Sequence, residues 1–453
     1  MKSQAKVSPS ATVTHLLCVV LTEPNFTAAL ARADELDAHL AMHGPVGALH
    51  GLPITVKDQF NVRGLDTTIT YTSLCSQPAT SQSALITVLE SLGAIVIAKT
   101  TVPQSLMWCE TASPLFGLTT NPRNRTFTPG GSSGGEAVLL AMGGSPLGWG
   151  TDIGGSIRIP SAMMGIAGFK PSSARLPYAG TAVSTAGQEH VPSSIGPMAM
   201  TVDGLVTAMK AVLEMDLSRV DPRTVPIRWR ENRYASVFSR KLRIGLIRDD
   251  GVVRVHPPTA RALQTAVEKL RAIGHELVEW APEHHAEAIA IMDEFYRADG
   301  GEDIRRAVEA GGEPFIPHVE ALFNRGPGPL SVFDYWQLNR RKWDVQAKYL
   351  AKWNASGSLT SDGHEVDLLL TPVMGHGAVP HGCCKWVGYT KIWNVLDYPA
   401  GVFHVDDVRD EDGSEDVMNE WRSYTPRNEM DRWNWQLCRW TTASASAVAR
   451  YQH

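Results

Sequence analysis

Three residues could do chemistry together if the fold brought them to one place: Lys57 in HGLPITVKDQF, Ser132 in TPGGSSGGEA and Ser156 in GTDIGGSIRIPS. A serine hydroxyl is a weak nucleophile and needs a base within hydrogen-bond reach. Around the two serines the letters are dense in glycine: residues 128–171 hold twelve of the chain's 39. Glycine costs backbone entropy, so that density calls for positive φ angles or for backbone passing close to a ligand. Gly154, Gly155 and Ser156 in succession let neighbouring N–H groups point at one spot beside a hydroxyl, which suits a developing oxyanion.

A flexible linker is the plain alternative for GGSSGG at 130–135. The letters that follow argue against it. EAVLLAM is a helix-forming run, so the loop opens a helix at the positive end of its dipole. The phosphate-loop pattern GxxxxGK(S/T) is absent, and GxGxxG fails because Ile153 stands where the third glycine would follow Gly148 and Gly150.

Taken together, the three segments resemble the amidase signature family. The serines at 132 and 156 are 24 residues apart, the family's spacing. The resemblance runs almost unbroken from His50 to Pro171. It continues more loosely through 200–213, LLLTPV and WNVLDYPAGV, in wording similar to the fungal acetamidase-like branch. It implies an α/β protein: an α/β/α sandwich with a large mixed, mostly parallel central sheet flanked by helices, in a single domain over 1–453. It implies Ser156 as nucleophile, Lys57 as general base and Ser132 as the bridging serine, with a cis peptide bond to Gly131. The N–H groups of Ile153, Gly154, Gly155 and Ser156 would form the oxyanion hole, Ser132 would also contact substrate, and Ser133, Asp152 and Arg158 would brace the loop. The implied reaction is hydrolysis of a small or medium carboxamide to a carboxylic acid and ammonia or amine through an acyl-enzyme, with no metal and no cofactor. The alternatives are a glutaminase-type subunit of a tRNA-dependent amidotransferase, which uses the same triad, and a catalytically defective member.

The ends depart from the family pattern. Only about two dozen residues precede the segment resembling 20–50, where the family has a further helical stretch. After DYPAGV the family runs through a block resembling GAPVGLQLVGR, which supplies a central strand. Here DRWNWQLCRWTTASASAVARYQH stands instead, so the stretch 403–453 is expected to lack that strand.

The elements that must position the three residues are legible from periodicity. Residues 25–42 repeat apolar positions at helical spacing, PITVK reads as a short strand, 84–92 as a helix and 94–100 as a buried strand. Further on, a strand and turn at 242–251, a helix at 257–274 with proline near its start and glycine at its end, and a strand at 275–280 make a βαβ unit. VDLLLTPVM (366–374) is another strand, and the acidic stretch 406–420 reads as a solvated loop.

Composition narrows the classes. With 43% hydrophobic and 20% charged residues the chain can bury a core, and a net charge of −5 gives no nucleic-acid or membrane-surface footprint. No run of about 18 apolar residues suggests a membrane span. Six scattered cysteines without a CxxC pair suggest a reduced, cytoplasmic protein. The expected partner is a small-molecule amide, and the oligomeric state stays open, a homodimer included. His284, His285 and Glu287 lack the HExxH spacing. His376, His381, Cys383 and Cys384 read as a loop rather than a metal site, Cys109 as a buried small hydrophobe, and the tryptophans at 386, 393, 421, 433, 435 and 440 as packing residues, with an acyl-pocket wall as the alternative for Trp386 or Trp393.

Overall fold

Alternation along PITVK sets the geometry of the centre: Ile54 and Val56 enter an apolar cluster on one face of the sheet, which turns Thr55 and Lys57 to the other. The structure, a computed structural model, describes residues 18–324 and 327–443. Its strands are β1 (Leu21–Pro24), β2 (Pro53–Lys57), β3 (Ile95–Thr100), a short hairpin of β4 (Ala112–Ser113) and β5 (Gly117–Leu118), β6 (Leu147–Asp152), β7 (Ala167–Lys170), β8 (Ser194–Ala199), β9 (Arg243–Leu246), β10 (Glu276–Glu279), β11 (Leu368–Leu370) and β12 (Ala400–Val402). The described chain forms two compact units. One comprises residues up to Trp229 with 297–329 and 397–403, and the other comprises 230–296, 330–396 and the residues from His404 on.

The first unit is built on a seven-stranded mixed sheet in the order β1-β3-β2-β6-β8-β7-β12. The expectation of a mostly parallel sheet is corrected in detail. Only β3–β2 and β2–β6 pair in parallel, because β8 enters between β6 and β7 against both and the outermost strands β1 and β12 also run antiparallel. On one face, α2 (Ala84–Ser91) and α5 (Val202–Leu213) pack on Ile54, Val56, Val96 and Trp149. Leu85 and Leu89 of α2 are fully buried there, each contributing roughly 1.5–3 kcal/mol over exposure. On the other face α1 (Phe26–His43) covers Ile95 and Ile97 through Ala29, Ala33 and Leu36. Beside it α3 (Gly134–Ala141) and α4 (Arg158–Met164) cover Ala98 and Met198.

Two local features let this second face carry chemistry. The β2–β3 register runs Ile54↔Val96 and then Thr55↔Ala98, so Ile97 has no opposite residue. That bulge turns Ala98 and Thr100 to the Lys57 face and sets Thr100 directly across from Lys57. The other feature is Gly148 of β6. A Cβ there would lie 1.9 Å from Glu136 Oε1, so the glycine leaves room for the Glu136 side chain of α3 against the sheet.

The second unit contains a parallel three-stranded sheet, β10-β9-β11, with α6 (Pro257–Ala272) crossing from β9 to β10. Leu263 and Val267 of α6 pack on Leu246, which realises the βαβ unit read from the letters. The strand expected over 366–374 is shorter, Leu368–Leu370. The acidic stretch 406–420 is not a loop throughout. It contains a 3-10 turn at Asp410–Gly413 and a helix at Glu415–Ser423, with Asp412 buried against Arg261 at 2.7 Å. Its charge misled because Glu415 and Asp416 favour a helix start and Arg422 its end. A further helix, Glu429–Ala443, holds Trp435, whose indole donates to Trp421 O at 2.9 Å while the Trp421 indole donates to Trp435 O at 3.1 Å. Between Val402 and Ala443 the described residues add no strand to the sheet; residues 1–17 and 444–453 lie outside the description. Trp386 and Trp393 pack within this unit: Trp386 donates to Asp250 at 2.6 Å, and Trp393 lies edge-on against His285 and Tyr349.

Candidate active site

Strand end, loop and helix start converge on Lys57. It is the last residue of β2, Ser132 lies in the loop entering α3, and Ser156 lies in the turn from β6 to α4. Lys57 Nζ donates to Ser132 Oγ at 2.8 Å and to Thr151 Oγ1 at 2.9 Å. The Thr151 hydroxyl spends its own hydrogen on Gln59 Oε1 at 2.5 Å, so towards Lys57 it can only accept. Gln59 is held in turn by Ala182 O at 3.0 Å and Tyr178 OH at 3.2 Å. Burial pushes the Lys57 pKa down to about 7, while the more distant carboxylates of Asp152 and Glu136 act against that fall. Among the described residues no carboxylate comes within salt-bridge distance of Nζ, so above neutral pH the group is an amine with a lone pair.

The peptide bond between Gly131 and Ser132 is cis. Ser132 is buried, whereas Ser156 is half-buried, and both line a cavity of about 370 Å³ together with Thr151 and Ile153. Among the described residues Ser156 Oγ has no hydrogen-bond partner and opens on that cavity. Leu106, Met107, Leu176 and Ile195 give the cavity apolar wall, and Tyr178, Asp221 and Arg223 give it polar wall.

Asp152 braces the loop that carries Ser156. Its carboxylate takes Arg158 Nε at 2.9 Å and Nη2 at 2.8 Å, and also accepts the N–H groups of Gly155 at 2.8 Å and Ile157 at 3.2 Å. This changes one expectation: the Gly155 N–H is aimed at Asp152 and so serves the brace. Gly155 itself has φ 138°, a conformation that side chains rarely allow. Ser133 braces through its backbone, donating to Ser156 O at 3.1 Å, while its buried hydroxyl has no partner among the described residues. Replacing Asp152 with Asn would remove the carboxylate charge that faces the buried Arg158 guanidinium at 2.8 Å. The expected loss is about 3–5 kcal/mol in urea unfolding, and an unfolding midpoint equal to the wild type would contradict this account of the loop.

Sequence reasoning did not single out Thr151, Gln59 or Glu136. Thr151 neighbours Asp152 and Gln59 lies two residues past Lys57, but nothing in the letters says that they meet. Glu136 carried a signal, a lone acid inside the apolar run EAVLLAM.

The family model described as Amidase matches residues 17–418. The chain belongs to the amidase signature family. It is thereby an amide-hydrolysing enzyme. It is 50% identical over 418 residues to Amidase 1 of Gibberella moniliformis, covering 92% of this chain and 79% of that one. It is 38% identical over 409 residues to the acetamidase of Aspergillus oryzae, covering 89% and 74%. A solved fatty acid amide hydrolase superposes with a TM-score of 0.81 at 31% identity, over 97% of this chain and 80% of that one.

Proposed function

We propose that this enzyme hydrolyses small or medium carboxamides through an acyl-enzyme on Ser156, with Ser132 and Lys57 as the proton relay. The observation that carries the reading is the bond from a buried lysine of pKa about 7 to Ser132 Oγ, on the same cavity wall as Ser156. Ser156 Oγ attacks the amide carbonyl carbon. Its proton passes to Ser132 Oγ, whose own proton passes to Lys57 Nζ. The carbonyl oxygen becomes an oxyanion beside the 153–156 backbone, where the N–H groups of Ile153, Gly154 and Ser156 are the candidate donors. Collapse breaks the C–N bond, and the leaving nitrogen takes a proton from Ser132, which is restored from Lys57. Water then enters by the same relay and releases the carboxylic acid. The Ser132–Ser156 link is not hydrogen-bonded in the free enzyme, which is common for catalytic contacts that tighten around substrate.

Cavity size supports small or medium acyl groups, and the relatives named amidase and acetamidase support a free-standing hydrolase over a subunit that needs partners. Purified protein given a panel running from acetamide through aryl amides to long-chain amides should release ammonia or amine from the shorter members, with kcat/KM falling once the acyl chain outgrows the cavity. Folded protein that hydrolyses none of them would refute the reading.

A further inference from the structure

Beneath Lys57 lies a carboxyl group that the proposed relay does not use. Glu136, in the first turn of α3, is fully buried. The Thr55 hydroxyl donates to its Oε1, and the Thr100 hydroxyl donates to its Oε2 at 2.7 Å. Both threonines frame Lys57: Thr55 is two residues before it on the same face of β2, and Thr100 is its cross-strand partner on β3. Among the described residues no cation pairs with Glu136, and Lys57 is the one charged group acting on it. The groups facing Lys57 itself are Glu136 from α3 and Asp152 from β6. Asp152 is already engaged by Arg158 of α4, with Lys170 of β7 behind that pair. Lys99 of β3 turns instead to Asp58, at 3.8 Å.

The hydroxyls around Glu136 suit either protonation state. When it is ionised, both threonines donate to it. When it is protonated, its O–H can donate to Thr100 Oγ1, because that hydroxyl has a second acceptor for its hydrogen in Val56 O at 3.4 Å. We propose that Glu136 is a positioning residue that sets the proton affinity of Lys57 by holding or releasing a proton between the hydroxyls of Thr55 and Thr100. Burial raises its own pKa to about 7, so its charge changes across the range in which the lysine titrates. The inference rests on Lys57 being the base of the proposed function.

The test is the acid limb of the kcat/KM profile, read against each variant's own plateau. Glu136→Gln keeps partners for both threonines but removes the negative charge that favours a protonated lysine. Near neutral pH, where Glu136 is still ionised in the wild type, its limb should run at lower pH by up to about one unit, and the two limbs should converge further into acid, where the wild-type Glu136 is itself protonated. Glu136→Asp, which keeps the charge, should leave the limb close to its wild-type position. Should Glu136→Gln fail to fold, Thr100→Val serves in its place: loss of a donor to the carboxylate keeps Glu136 protonated to higher pH and moves the limb the same way. A limb that superimposes on the wild type in a folded variant overturns the proposal. A wild-type profile whose acid limb survives in Lys57→Met would instead overturn the assignment of the base, so the two failures are told apart.

Discussion

Ser156→Ala should abolish covalent labelling by a fluorophosphonate probe and lower amide hydrolysis by a factor on the order of 10⁶, the scale on which serine hydrolases lose rate with their nucleophile. The argument is local. Ser156 is the half-buried hydroxyl that opens on the cavity, and the loop bearing it is clamped by Asp152 and Arg158 rather than by its own side chain. Removing Oγ therefore breaks no hydrogen bond among the described residues, and stability should change by less than about 0.5 kcal/mol. Labelling that persists in a folded Ser156→Ala enzyme would place the nucleophile elsewhere. A variant that loses activity only because it unfolds would show itself in the thermal midpoint.

Lys57→Met should cost about 10²–10⁴ in the acylation rate and remove the acid limb of the pH profile. In the proposed relay the active form of Lys57 is the neutral amine, and burial lowers its pKa to about 7. In the wild type, acylation should therefore be flat above that pH and fall about tenfold per unit below it. Stability carries an independent signature. Between about pH 7 and the ordinary lysine pKa near 10.4 the unfolded chain holds a proton that the folded chain does not, so stability rises with pH across that window. Below about pH 7 the full penalty of burying the cation is present. Methionine fills the same space without that penalty, so the variant should be at least as stable as the wild type at neutral pH. An acid limb that survives in Lys57→Met would show that another group titrates.

Much of this enzyme was legible before any coordinates. The helices at 26–43 and 257–272, the buried strands flanking Lys57 and the βαβ unit follow from letters whose meaning is local, the apolar period above all, while the grouping of Lys57, Ser132 and Ser156 came from the resemblance to the family. The errors came where local meaning was ambiguous. The acidic stretch after 406 carries its charges at positions that favour helix ends, and the strand directions of the central sheet depend on where β8 inserts, about which its own letters say nothing.

The sequence by itself determined which groups could react and which segments would be strand or helix, because backbone periodicity and side-chain chemistry are properties of neighbours in the chain. Only the tertiary structure decided that Lys57 is stripped of water, that Thr151 must accept its hydrogen bond, that the Gly155 N–H turns to Asp152, and that Glu136 rests between two threonines on adjacent strands. Apart from the Gly155 turn, which closes within three residues, these depend on residues tens of positions apart, and the Glu136 site depends also on a one-residue bulge that rotates Thr100 onto the Lys57 face. Proton affinity is set by what surrounds a group in space, and that neighbourhood exists only once the sheet has closed over it.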